Sequence, residues 1–335
     1  MKQRFALVLA FALVASALPG GPTQSAEADG PTVLRMATLA PSGSSWMKVF
    51  NAWNQTLQKQ TNNTLKFSFY AGGSQGDERD FVRKMRAGQM DGAAITTTGL
   101  GMLVRSVLVL AVPGVITTYE QLDSVRADLD GEFDAMFDKE GYKLLGWGDV
   151  GKTRIFSKHT FDKPSDFKKL RPWAWKDDLI FGEFLKVVGA NPVALGVPEV
   201  YPSLQTKIID TVPASALAAV SLQWYTQLKY VTASSNGIIV GATIVKKDKF
   251  DALTEEQKTA LVDTGIRAHK ALNKSIRRDD DKSYATILKR GISTVDTTPY
   301  QAEWDKAAAE TRKNLTGRVY PKSLLDAVEA AARKQ

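Results

Sequence analysis

Two stretches of the sequence hold residue types that could do chemistry. "GGSQG" at 72–76 fits the G-x-S-x-G pattern of a nucleophile elbow and falls between a strand pattern and a helix pattern. A hydrolase built on Ser74 would also need an acid and a later histidine, for which Asp210 and His269 stand in the right order. The same glycines serve equally as a tight turn into a helix whose first turn carries Asp77 and Glu78. His269 moreover falls inside a long helical pattern, away from any loop that would present it. The second stretch is "KKLRPWAWKDD" at 168–178, where Trp173 and Trp175 are two apart and share one face of an extended strand. Two rings on one face build either core or the wall of a ligand site. Metal chemistry has no comparable motif: the chain has no cysteine and only His159 and His269, far apart. No metal and no cofactor are expected.

Elements must position these residues. "TVLRMATL" (32–39) reads as a strand and "SSWMKVFNAWNQTLQKQT" (44–61) as a capped amphipathic helix. "LKFSFY" (65–70) alternates as a strand, "DERDFVRKMRAG" (77–88) is a helix ended by Gly88, and "DGAAITTT" (91–98) is a strand. This order implies a mostly parallel sheet with crossover helices. A second α/β unit follows: an extended stretch (142–158), a helix (177–190), a short strand (191–196) and a helix (197–209). "SNGIIVGATIVKK" (235–247) reads as a further strand pair.

The segment 254–291 has no proline and opens on a capping box, Thr254 with Gln257. As one helix it would run roughly 50 Å at 1.5 Å per residue, longer than one small lobe is wide. It therefore either spans two lobes or breaks near Asp279–Asp281. The expected fold class is α/β, two lobes each with a mixed or mostly parallel sheet flanked by helices, and a long helix crossing both. Lobe I is expected at 31–150 plus about 233–270, and lobe II at 151–232 plus about 271–335. Such a chain is a ligand clamp.

Composition is that of an ordinary globular protein, with 335 residues, 44% hydrophobic and 24% charged. The N-terminus reads as an export signal: Lys2 and Arg4, an apolar run from Phe5 to Leu18, a Pro-Gly break, and small residues at Ala26–Ala28 for cleavage. The alternative is a retained anchor, against which the shortness of the run argues. The net charge of +8 is spread among acids, as in "IRRDDDKSYATILKR" (276–290), with no basic stripe bearing stacking aromatics. Nucleic acid is excluded as a partner on that ground.

"YAGGSQGDERDFVRKMRAGQMDGAAITTTG" (70–99) resembles a signature of the solute-binding proteins of tripartite ATP-independent periplasmic (TRAP) transporters, the DctP type. "GANPVALGVPEVYPSLQTKIID" (189–210) resembles the family's second signature, and "LRMATLAPSGSSWMK" (34–48) its opening strand and loop, which includes Leu39. The resemblance covers nearly all of the chain after the signal. It implies a periplasmic receptor without catalytic activity, closure of two lobes over a small organic ligand, and membrane permease subunits as partners.

In that family an arginine before the second signature pairs with the ligand carboxylate, a task suited to the guanidinium fork. The resemblance puts Trp173 at that arginine's place, with Arg171 two residues early. A second family arginine falls on Thr153, beside Arg154, which one step along a strand faces the other way. A polar pair becomes Pro213-Ala214, and an aromatic pocket residue becomes Val197. All four changes run toward apolar or small. A branch with a W-x-W segment and "LQW" (222–224) is the nearer likeness; it implies a hydrophobic ligand and a periplasmic tetratricopeptide-repeat protein as a further partner.

The expected site is therefore Trp173, Trp175, Thr153, Val197 and Ala214, with Leu39, Trp46 and Trp147 as further walls. Indole N–H groups and the Thr96, Thr97 and Thr98 hydroxyls would orient a polar end. The alternative is an organic-acid receptor anchored by Arg154 or Arg171. If Trp173 is wall rather than core, its truncation leaves the unliganded protein's stability almost unchanged.

Overall fold

The alternating patterns become twenty-two regular elements in the computed structural model, which describes residues 30–334. The expected export signal at 1–28 lies outside the described residues. In chain order the first elements are β1 Thr32–Thr38, α1 Ser45–Gln60, β2 Leu65–Tyr70, α2 Glu78–Arg86, β3 Gly92–Thr96 and α3 Thr97–Gly101. A 3-10 turn at Arg105–Ala111 leads to α4 Tyr119–Lys139, β4 Tyr142–Lys152 and β5 Arg154–Ser157. Then come β6 Trp173–Trp175, α5 Leu179–Val187, β7 Val193–Leu195, α6 Val197–Gln205, β8 Thr211–Ala214, α7 Ala216–Ser221 and β9 Tyr230–Thr232. The chain finishes with β10 Ile238–Lys246, α8 Lys247–Asp251, α9 Glu255–Lys289, β11 Ser293–Val295, α10 Gln301–Leu315 and α11 Lys322–Ala332.

The strands form two main sheets. The first has the order β2-β1-β3-β10-β4, parallel over its first three strands and antiparallel where β10 enters. The second has the order β11-β9-β5-β8, and a small parallel pair, β6 with β7, joins it through the Pro172–Thr211 bridge. Two apolar clusters lie chiefly with each sheet, while Ile180 of α5 and Leu217 of α7 join clusters of the first. Two sequence expectations change. Residues 235–247 are one strand, not a pair, because none of residues 238–246 takes the left-handed backbone that a tight hairpin turn requires. Thr97 and Thr98 open helix α3, capped by the Thr96 side chain, instead of ending the strand.

Three segments join the lobes. β4 runs into β5 at Thr153, β9 returns to β10 through residues 233–237, and α9 passes both. The two strand crossings bond to each other, Thr153 N–H to Gly237 O at 2.8 Å and Asn236 N–H to Thr153 O at 3.1 Å. α9 is unbroken over 35 residues. Its Asp280, 1% exposed, accepts the Lys152 N–H at 3.0 Å and the Leu217 N–H at 2.9 Å. A buried polar group within a long helix is thus the tie between strand crossing and second lobe. Gly151, at φ +129°, makes room for it: a Cβ there would stand 2.7 Å from the Asp280 Cγ.

The expected lobe division fails at the C-terminus. Leu315 to Ala332 pack into the first lobe's cluster, with α11 lying on α4 and the Ser124 hydroxyl bonding Ala331 O at 2.9 Å. Apolar spacing along α11 told of a buried face, not of which lobe buries it. No helix among the described residues is long and apolar enough to cross a membrane.

The tie predicts a stability effect. Asp280→Ala leaves the buried Leu217 N–H and the half-buried Lys152 N–H without an acceptor and should cost about 2 kcal/mol in urea unfolding. Asp280→Asn retains one acceptor oxygen and should cost less.

Candidate functional site

A cavity of about 460 Å³ lies between the lobes. The first lobe contributes Thr38 and Leu39 after β1, Trp46 on α1, and the Thr96–Thr98 turn between β3 and α3. The second lobe contributes Trp173 and Trp175 on β6, Val197 at the start of α6, Pro213 and Ala214 on β8, and Trp224. Thr153 and residues 234–237, from the two strand crossings, form its back. Pro213 is tolerated in β8 because β8 is a sheet edge.

Trp173 and Trp175 do share a side of their strand, their ring centroids 5.9 Å apart. Trp173 also meets Trp224 edge-on at 5.4 Å. Yet Trp173 is only 3% exposed and belongs to the second lobe's core cluster with Val200, Leu204 and Val212. Wall and core are one ring seen from two sides. The indole N–H groups of the expected tryptophans on this wall are not available to a ligand: Trp173 donates to Leu195 O at 3.0 Å, Trp175 to the Asp77 carboxylate at 2.7 Å, and Trp46 to Asp149 O at 3.1 Å. That corrects the expectation that they orient a polar end. Thr96 Oγ1 donates to Glu78, so of the threonines expected at the site Thr97, Thr98 and Thr153 remain, beside the lining hydroxyls of Thr38, Thr117, Ser234 and Ser235.

The charge of the wall is the informative part. Among the described residues lining the cavity none is Lys, Arg or His, and the charged ones are Glu78, Asp149, Asp178 and Asp305. Asp149 is neutralised from behind by Arg126 at 2.7 Å and Arg277 at 2.6 Å. Asp178 caps α5 through the Ile180 and Phe181 N–H groups. Glu78 accepts the Thr96 N–H at 2.7 Å and the Gly99 N–H at 2.8 Å, and so shapes the threonine turn. Burial pushes its carboxyl up to about 8 in spite of those bonds, so at neutral pH it is mostly uncharged. Asp305 on α10 accepts from the Gln301 amide at 2.8 Å and is the one lining carboxylate with no cationic or capping partner among the described residues.

Ten of the thirteen expected site residues line this one cavity: Trp173, Trp175, Thr153, Leu39, Trp46, Thr96, Thr97, Thr98, Val197 and Ala214. Trp147 does not. It is packed on Phe133 and Phe137 in the first lobe's core, with its N–H on Asp130. Arg171 projects outward and pairs with Asp210 at 3.2 Å. Arg154 faces away from the cavity, as a one-residue step from Thr153 requires. Its guanidinium lies 3.8 Å over the Tyr284 ring and bonds the Thr232 and Ala233 carbonyls.

The nucleophile elbow also dissolves. His269 is buried, its ring nitrogens taken by Gly265 O at 2.8 Å and Thr243 Oγ1 at 2.9 Å, and Asp210 is held by Arg171 and Thr211. Gly72, Gly73 and Gly76 have positive φ, which makes 72–76 a turn into α2. The sequence reading missed Phe181, Phe184 and Trp304, which line the cavity from α5 and α10. Their stacked rings, Phe184 on Trp304 at 6.0 Å, join segments 120 residues apart that no local pattern connects.

Residues 36–317 match the family described as bacterial extracellular solute-binding protein, family 7. The chain is 24% identical over 269 residues to the 2,3-diketo-L-gulonate-binding periplasmic protein of Escherichia coli K12, covering 78% of this chain and 80% of that one. It is 20% identical over 297 residues to the sialic acid-binding periplasmic protein of Vibrio cholerae, covering 87% and 92%. Among solved structures, the sugar acid binding protein of Advenella mimigardefordensis in complex with galactonate superposes with a TM-score of 0.85 at 16% identity, over 91% of this chain and 99% of that one. A Bordetella pertussis extracytoplasmic solute receptor binding pyroglutamic acid gives 0.83 at 18% identity, over 90% and 99%. At these identities the structural likeness is one of fold.

Two expectations follow from the geometry. Trp173→Ala opens a hole in the second lobe's core and should cost about 3–5 kcal/mol in urea unfolding without ligand, contrary to a wall-only residue. The second concerns pH. The folded chain keeps the Glu78 proton up to about 8, whereas the unfolded chain releases it near the ordinary 4.5. This group's contribution therefore lowers stability as pH rises from about 4.5 to about 8. His269 acts with the opposite sign on the acid side: burial lowers it to about 4 from 6.5, so its contribution is lost as pH falls between those values. Unfolding profiles of the parent and Glu78→Gln, compared by difference, should isolate the Glu78 slope, which the variant lacks.

Proposed function

The chain belongs to family 7 of the bacterial extracellular solute-binding proteins, the solute receptors of TRAP transporters, and from that premise we propose that it captures a small apolar or amphipathic organic molecule between its lobes. It is a receptor and not an enzyme, and receptors of this kind deliver their ligand to membrane permease subunits. The observation that carries the ligand class is the cavity wall, aromatic and aliphatic with no cation on it. A carboxylate placed there would lose its hydration and gain no charged partner. An apolar molecule gains instead: burying about 300 Å² of its surface at roughly 25 cal/mol per Å² yields about 7–8 kcal/mol before ordering costs. That is enough for weak to moderate affinity without a salt bridge. Thr97, Thr98 and Thr153 would take a polar end.

Binding proceeds by closure, because ligand meets both walls only when the lobes are together, and it shifts an open–closed equilibrium. The lobes are the two sheet units, with α11 returned to the first, and the export signal at 1–28 directs the chain to the periplasm.

A second reading is favoured by relatives named for 2,3-diketo-L-gulonate and sialic acid. In it the chain is an organic-acid receptor whose Arg171, with an exposed side chain, or Arg154 turns into the cleft. A thermal-shift panel separates the two. Galactonate, glucuronate and pyroglutamate should give no shift, while neutral apolar or amphipathic molecules should raise the melting temperature. Micromolar binding of a sugar acid that Arg171→Ala or Arg154→Ala abolishes would establish the second reading.

A further inference from the structure

Asp77 is used twice. Its Oδ1 accepts the Glu78 N–H at 3.0 Å and caps α2, an ordinary task at a helix start. Its Oδ2 reaches out of the first lobe and accepts two donors of the second: Trp175 Nε1–H at 2.7 Å and the Val197 N–H at 3.3 Å. Gly196 leaves the space for this approach, since a Cβ there would stand 2.7 Å from that oxygen. Beside it, Arg79 of α2 and Asp177 of the second lobe form a forked pair, Nε to Oδ2 at 2.7 Å. That pair is exposed and contributes little by itself. Trp175 is thus fixed at both ends, its ring on Trp173 and its N–H on the opposite lobe.

We infer that Asp77 is a positioning residue for ligand capture, fastening the closed form by holding Trp175 across the cleft and so completing the apolar wall. The physical argument is one of coupling. In the open form the second lobe cannot offer the indole N–H to Asp77, so both the hydrogen bond and the seated ring belong to the closed form alone. A hydrogen bond to a charged acceptor is strong enough to move such an equilibrium about tenfold. Ligand that touches the Trp175 ring then binds a wall whose position the first lobe sets. The inference rests on the clamp reading above, and on its apolar ligand class only for the dye measurement below.

The chain has no cysteine, so spin labels can be placed cleanly at Gln89→Cys and Lys186→Cys, exposed positions in the first and second lobes. Label separations are read by pulsed electron paramagnetic resonance, with and without the neutral apolar dye N-phenyl-1-naphthylamine. Two variants remove the fastening differently. Asp77→Ser keeps a good helix cap but is too short to reach Trp175. Trp175→Phe keeps an aromatic ring and lacks the N–H. Each should lower the ratio of short to long separations about tenfold and speed dye dissociation by a similar factor, with unfolding in urea little changed. Separations and dissociation rates equal to the parent's in both variants would overturn the inference. So would a parent that shows no short separation under either condition. A dye that fails to bind a parent showing the short separation would count against the apolar ligand class alone, the fastening still being judged by the separations.

Discussion

Two backbone N–H groups, those of Lys152 and Leu217, end on one buried carboxylate, Asp280, in the C-terminal half of the long helix. A strand that leaves one sheet for another gives up its ladder partners at the crossing, and N–H groups buried there must find acceptors elsewhere. Asp280 meets that need for the crossing at residue 152 and for the start of α7 together. The second crossing, at residues 233–237, hangs on the first through Thr153 and is braced from below by Arg154 on Tyr284. Thr153 and residues 234–237 of these crossings themselves line the cavity. The crossing is thus held by hydrogen bonds between its two strands and to the long helix.

The same logic of satisfied partners explains why so acidic a set of lining residues makes an apolar site. Asp149 is neutralised by two arginines that stand outside the cavity, Asp178 is spent on a helix cap, and Glu78 keeps its proton because burial costs the anion more than three hydrogen bonds return. The indole N–H groups of Trp46, Trp173, Trp175 and Trp304 are spent as well. What faces the interior is ring faces, aliphatic side chains and a few hydroxyls. Polar atoms are plentiful near this cavity, but nearly all of them are employed in holding its shape.

Much of this was legible in the residues. The strand and helix order, the capping box at Thr254, the turn at 72–76 and the shared face of Trp173 and Trp175 are local, and local backbone preferences suffice to read them. The family signatures in 70–99 and 189–210 supplied the fold and the receptor role. Period-two reasoning also separated Thr153, which lines the cavity, from Arg154, which does not. Where the reading failed, the failure was of partnership and not of pattern. Trp147 has the same chemistry as Trp173, and only the packing of α4 over β4 makes it core. Residues 235–247 hold glycines that suit a turn or a straight strand, and pairing with β3 and β4 chooses the strand.

By itself, then, the sequence determined the class of fold, the family and the residues, Thr153 and Trp173, that stand at two points of the cavity wall. These are statements about which residue stands where along one chain. Tertiary structure alone decided that Trp304 and Phe184, 120 residues apart, share a wall, that α11 returns to the first lobe, and that Asp77 fastens Trp175. Each of those depends on two distant segments meeting in space. A one-dimensional pattern records which face of a segment will be buried and is silent on what will cover it, since any apolar face of the right shape satisfies the same burial.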